Sequence, residues 1–339
     1  MTGVSGRAGL FVAFSASCTS LVAPATAACL GSDCIDIAGL AKSSAISSGF
    51  DAFDRLHGGG RRDAEGVHYP SPTSNDDQCI DLRPHVLAYT QRTRWSADAK
   101  THGSGVSAGL TATIADGLVA GLSLSAGSRN ARIDSALTQD EERSTDRFAM
   151  IHAQFAQPRS PLYLTLAAGH GWISNDVSRV RQAQGRVAAQ DVETTLLLGS
   201  MEAGYDWRPV AGFALTLFVR ADAADLEQDG YDEVPLDGGS LAPKLVPSAS
   251  EQSLRSILGA RASVDIMSGS RQLRLIATTG WVHDFEPLPA VSGTDDSFLV
   301  QTGLEAPVSD RTRIFVGYNA LFASGIDSRG AEAGLRMAW

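Results

Sequence analysis

The residues that could carry out a reaction come first. Gly105-Val106-Ser107-Ala108-Gly109 matches the G-x-S-x-G pattern of a nucleophile elbow. That pattern works because a sharp strand-to-helix turn lifts the serine hydroxyl beside an oxyanion hole. Here the residues around Ser107 alternate as in a strand and no helical period follows them. Ser107 therefore reads as part of a small polar face. The seven histidines, at 57, 68, 85, 102, 152, 170 and 283, show neither H-E-x-x-H nor paired metal spacing. Asp225, Glu227, Asp229, Gly230 and Asp232 begin like a calcium loop, but its twelfth position falls on Leu236, where a bidentate glutamate is needed. The sequence reads as a non-enzyme with no cofactor and no metal site.

A different set of polar residues is more informative. Arg220, Arg255, Arg261, Arg274 and Arg313 stand beside Glu202, Asp222, Asp265, Asp284 and Glu305, in segments where every other position is apolar. Charges on one face and apolar groups on the other require strands, because successive side chains of a strand point to opposite faces. From Leu82 onward this texture is uniform. Twelve segments show it, at about 83–96, 104–115, 117–130, 143–156, 161–174, 191–206, 211–224, 250–266, 270–285, 296–307, 311–323 and 328–339. In the eighth, Leu254, Leu258, Ala260, Ala262, Val264 and Ile266 oppose Arg255, Arg261 and Asp265. In the last, Ala331, Ala333, Leu335, Met337 and Trp339 are apolar at every second place. The first and fourth are ambiguous as to which face is apolar.

The connections point to a membrane barrel. Those from odd to even segments are mostly long, at 131–142, 175–190, 225–249 and 286–295. Those from even to odd are short, as at Ala115-Asp116 and Ser268-Gly269. A strict meander sorts the two kinds onto opposite rims, as outer-membrane barrels do with long outer loops and short periplasmic turns. Greek-key sandwiches have no reason to sort loop length this way. A strand of ~10 residues tilted near 45° spans ~23 Å, enough for the apolar band of such a barrel. Apart from the N-terminus, no apolar run reaches the ~18 residues of a transmembrane helix. A formal charge of −10 leaves no basic field to gather nucleic acid.

Upstream lie three further regions. Residues 1–28 read as a secretory signal: Arg7, an apolar run from Ala8 to Ala16, and Ala25-Thr26-Ala27 at a cleavage site. After cleavage, two of Cys29, Cys34 and Cys79 are expected to pair in an oxidising compartment. Residues 29–42 form a short linker. Over 43–57, Ala45, Ile46, Gly49, Phe50, Phe53 and Leu56 recur at helical spacing, and Gly58-Gly59-Gly60 is expected to end the helix. A helix so rich in Ser, Ala and Gly is slim enough to stand inside a twelve-strand barrel, whose lumen lies between a filled one and an open channel. Residues 58–81 read as a linker loop, and 82–339 as the barrel.

With these parts in place, the chain resembles the β-barrel translocator domain of autotransporters, the proteins of type V secretion. The resemblance rests on the signal, the small-residue helix, the barrel ending Gly334-Leu335-Arg336-Met337-Ala338-Trp339, and phrases such as Leu258-Gly259-Ala260-Arg261 and Gly280-Trp281-Val282-His283-Asp284-Phe285. It implies an all-β, twelve-stranded antiparallel barrel in the bacterial outer membrane with the helix in its lumen. It also implies loops outside the cell and a role in translocating or anchoring an N-terminal passenger, here very short. Arg220, Arg255, Arg261, Arg274, Asp284, Glu305 and Arg313 are then lumen-facing. Ala333, Leu335, Met337 and Trp339 form the strand read by the barrel-assembly machinery. The expected partners are outer-membrane lipid, that machinery and the chain's own N-terminal segment, around a monomer. Two other functions fit the same barrel: a porin-like channel, and a surface adhesin acting through its long loops.

Overall fold

The computed structural model describes residues 37–65, 81–95, 99–134, 138–157, 160–268, 271–286, 295–309, 311–324 and 326–337. The expected signal, Cys29, Cys34, Cys79 and Trp339 lie outside them. One helix, α1 (Ile37–Glu65), precedes twelve long strands: β1 (Asp81–Arg94), β2 (Ala99–Ala115), β3 (Leu118–Asp134), β4 (Thr138–Ala156), β5 (Leu162–Arg181), β6 (Gly185–Val210), β7 (Phe213–Gln228), β8 (Ala249–Ser268), β9 (Arg271–Asp284), β10 (Asp296–Pro307), β11 (Thr312–Ala323) and β12 (Ile326–Met337). Each strand pairs antiparallel with its neighbours in sequence. The first then pairs with the last, from His85 opposite Arg336 to Arg94 opposite Asp327, and the ring closes. Among the described residues, closure leaves no open edge in the part of the ring where all twelve strands run side by side, which is what a sheet in hydrocarbon requires.

The outward face forms an apolar belt. Val106, Leu124, Ile151, Leu197, Leu217, Leu258, Trp281, Phe298 and Val316 are all exposed, and they come from nine different strands. Soluble domains rarely expose a contiguous apolar patch beyond a few hundred Å², and this belt runs around the ring. No described helix is long and apolar enough to cross a membrane; the strands cross it.

Two expectations need correction. The segments 131–142 and 175–190 are not long loops. There β3, β4, β5 and β6 continue as strands, paired from Asp134 opposite Gln139 and to Arg181 opposite Gly185. With 19, 20 and 26 residues, β4, β5 and β6 are far longer than the ~10 needed to cross the membrane. Beyond the hydrocarbon neither face has to be apolar, so Arg132, Glu141 and Arg143 can follow one another along the ladder and the alternation vanishes. The truly long connections are 229–248 and 285–295, both on this rim. The opposite rim carries short turns such as Asp116-Gly117, where Gly117 takes a φ of 76° that a side chain would resist.

The helix is also longer than 43–57. It starts at Ile37, whose spacing to Leu40 and Ala41 continues the apolar face, and runs through Gly58-Gly59-Gly60 to Glu65. Each glycine costs only about 1 kcal/mol against alanine in a helix, which did not stop this one. The expected linkers 29–42 and 58–81 are therefore both partly helical.

Candidate functional site

The helix stands inside the ring, and every described side chain from Ile37 to Leu56 is buried or half-buried. Its N-terminal end is collared at the long-loop rim, where Ile37 and Leu40 pack with Trp95, Ala99, Ala131 and Val177. Lower down, Ala45, Ile46, Phe50, Phe53 and Leu56 pack on Phe148 and Met150 of β4, Leu196 and Leu198 of β6, and Leu226 of β7. The approach is close: a Cβ added to Gly49 would lie 2.7 Å from both Leu196 and Leu198. The ambiguity of β4 now has a cause. Phe148 and Met150 point inward onto the helix while Ile151 and Phe155 point outward, so both faces carry apolar groups.

Charge ties the same side of the helix to the wall. Asp54 of the helix accepts hydrogen bonds from Arg220 of β7 and, at 3.3 Å, from Arg255 of β8. Asp222, fully buried, accepts from Arg255 at 2.9 Å and from Ser200 at 2.6 Å, and pairs with Arg220 at 3.1 Å. Two cations and two anions thus form a buried quartet of zero net charge. The Arg255 guanidinium also lies 4.1 Å from the centre of the Phe50 ring. Nearer the long-loop rim, Lys42 bonds Glu251 at 2.6 Å. On β3, Arg129 donates to Ser48 at 2.9 Å while Glu142 and Asp146 stand 3.6 Å from it.

The other lumen candidates sit further from the helix. Arg261 lies 3.6 Å from Glu202, which also accepts from Tyr163 at 2.8 Å. Glu305 receives Arg313 at 3.1 Å and faces Arg336 at 3.6 Å. Arg274 bonds Asp265 at 2.8 Å, near the short-turn rim. Asp284, half-buried, stands opposite Arg255 in the ladder. Arg313 differs from the rest, its side chain being 47% exposed. Alternation marked these positions; it gave no sign of Asp54 or Phe148, whose importance lies in contacts across the ring. Ala333, Leu335 and Met337 lie on the exposed face of β12.

Ser107 lies in the middle of β2, far from any strand-to-helix turn. Among the described residues no three His, Cys, Asp or Glu side chains gather as a metal site. The expected calcium-like segment is split between β7 and the loop that follows. That loop folds back on the tip of the β5–β6 hairpin. Val234 and Pro235 pair with Ala188 and Val187, and Glu233 clamps Arg179 with two hydrogen bonds, one of 2.6 Å. Those bonds raise the proton affinity of the Arg179 guanidinium above its ordinary range.

Known proteins share this fold. The family model described as the autotransporter β-domain matches residues 87–319. Among solved structures, the fold is similar to the translocator domain of the autotransporter NalP from Neisseria meningitidis, with a TM-score of 0.65 and 17% identity, covering 87% of this chain and 99% of that one. It is also similar to the β domain of the Bordetella autotransporter BrkA, at TM-score 0.58 and 17% identity over 76% of this chain and 99% of that one. The transport unit of the autotransporter AIDA-I from Escherichia coli gives 0.57 and 13% identity over 80% and 94%. A search of curated proteins returned no match.

Proposed function

The chain belongs to the autotransporter β-domain family, and from that premise we propose how this outer-membrane translocator barrel serves its own N-terminal segment. The observation that carries the reading is the path of α1. Its N-terminal end lies at the rim of the long loops, and its C-terminal end leads toward β1, which starts at the opposite rim. A chain threaded in this direction presents whatever precedes Ile37 on the long-loop side. That side faces the outside of the cell, and the short turns face the periplasm. The barrel thereby anchors residues 29–36 at the surface, after an export signal in 1–28 has been removed. Arg220, Arg255 and Arg129 hold the helix in place through Asp54 and Ser48, and the lumen does no chemistry of its own.

Two measurements test this. An epitope inserted between Cys29 and Asp36 is expected to be reached by antibody on intact cells; an epitope shielded until the outer membrane is opened reverses the orientation. Deleting residues 29–60 is expected to raise the conductance of the barrel in planar bilayers. Equal conductance before and after would sink the plug and favour the porin-like reading.

Assembly is read through the end of β12, by the barrel-assembly machinery. Removing Trp339 should lower the amount of heat-modifiable, folded barrel in the outer membrane. One observation favours the adhesin as a second reading: the 229–248 loop is ordered against the β5–β6 hairpin and leaves Val234, Leu236 and Leu245 exposed at its surface. Loss of cell attachment on deleting this loop, with the folded barrel retained, would establish it.

A further inference from the structure

The helix does not fill its lumen evenly. Against β4 to β8 it packs on large side chains. Against β2 and β3 it meets a wall of small ones: inward from β2 come Gly103, Gly105, Ser107 and Gly109, and from β3 Gly121, Ser123, Ser125 and Gly127, with Tyr89 and His85 of β1 lying against Gly105 and Gly109. Three cavities follow one another along this side. The uppermost lies beside Trp95, Thr93 and Ser44. The middle one shares Ser48, Gln91 and Gly103 with it. The innermost shares Arg55 with the middle one and reaches His85 and His152.

The innermost cavity sets buried polar atoms among apolar groups: Leu56, Leu87, Phe315 and Met150 also line it, and both Met150 and His152 come from β4. His152 is 7% exposed and Ser123 4%, both line the innermost cavity, and no described protein group hydrogen-bonds either imidazole nitrogen of His152 or the Ser123 hydroxyl. His85 Nδ1 and the Ser125 hydroxyl are in the same position. Buried polar atoms of this kind are satisfied by water when the cavity is polar and roomy enough to hold it. The narrow point is also visible. The Arg55 guanidinium lies 3.9 Å from the centre of the Tyr89 ring, between the middle and innermost cavities. The Tyr89 hydroxyl itself comes so close to Gly105 and Gly127 that a Cβ on either would lie within 2.8 Å of it.

We propose that the β1–β3 side of the lumen is a hydrated gutter that passes water and small ions beside the seated helix, with the Arg55–Tyr89 stack as its neck. This rests on the reading of α1 as a resident plug. The gutter is too slim for a polypeptide, so it gives the plugged barrel a permeability separate from translocation. Conduction is then set by its narrowest point, as in pores generally.

The test uses the full chain in planar bilayers of KCl solution. The chain is expected to show a small steady conductance, and Tyr89→Ala to raise it by about twofold, as removal of a rate-limiting constriction does. A second arm does not depend on the neck. In a chain with Cys18, Cys29, Cys34 and Cys79 changed to Ser, Ser107→Cys is expected to react with a small charged thiol reagent and lose current. Leu198→Cys, on the packed side, is expected to do neither. Folding of every variant is checked by heat modifiability. A folded chain with no current, or a folded Ser107→Cys chain that the reagent does not reach, overturns the gutter. So does current that rises on deleting residues 29–60 but ignores Tyr89→Ala, and that result leaves the plug standing. Current that ignores both changes overturns the plug as well.

Discussion

Along β4 to β8 the wall meets the helix with Phe148, Met150, Leu196 and Leu198 and with the Arg220–Asp222–Arg255 cluster. Along β2 and β3 it offers mostly glycine and serine, with Arg129 the main polar hold. One side grips and the other allows. The difference shows that a lumen need not be uniform to hold a plug: shape and charge matched on one side suffice, and the other can stay wet. It also shows why a single rule for inward residues fails. On the gripping side an inward position packs on the helix; on the other it is just as buried, as Ser123 is, but faces a cavity.

Five substitutions test this contrast and the outer face that encloses it, each read from the midpoint of urea unfolding followed by the folded-versus-unfolded gel shift. Asp54→Ala strikes the gripping side hardest. It removes the carboxylate that Arg220 and Arg255 both hydrogen-bond, and an uncompensated buried charge costs about 3–5 kcal/mol. A loss under 1 kcal/mol would mean that water already screens the quartet.

Leu258→Arg tests the outer face, which does not distinguish the two sides. Leu258 is 62% exposed on the belt, and a charge there costs about 2–4 kcal/mol near the bilayer midplane. Unchanged folding into lipid vesicles would place that face away from hydrocarbon. Arg261→Leu, one step inside on the same strand, is not the silent change that an aqueous lumen would allow. It removes the cation beside the buried Glu202.

Gly49→Val probes how tightly the gripping side fits. With Leu196 and Leu198 2.7 Å from a Cβ, overpacking should cost about 1–3 kcal/mol. The smallest effect belongs to the other side. Ser107→Ala removes a hydroxyl that faces a cavity, and should stay within about 0.5 kcal/mol. If Ser107→Ala matched Gly49→Val, the two sides would be equally packed and the contrast would fall.

The ring is legible in the chain alone. Wherever a strand crosses hydrocarbon its outer face must be apolar whatever lies beside it, so the period of two is written locally, and twelve strands and their outward residues can be read one segment at a time. The short turns are equally local, since two residues such as Asp116-Gly117 suffice to reverse the chain. The inside of the ring, and the strands that project above it, become legible only in three dimensions. Asp54 and Arg255 are 201 positions apart, and no local pattern marks them as partners. Phe148 and Met150 are apolar because a helix passes them, which blurred the alternation of β4. The projecting ends of β3 to β6 read as loops because, outside the membrane, neither face is held to one character. Local pattern reports what the solvent demands of each residue; the lumen's solvent is the protein itself, and its demands exist only once the barrel has closed around the helix.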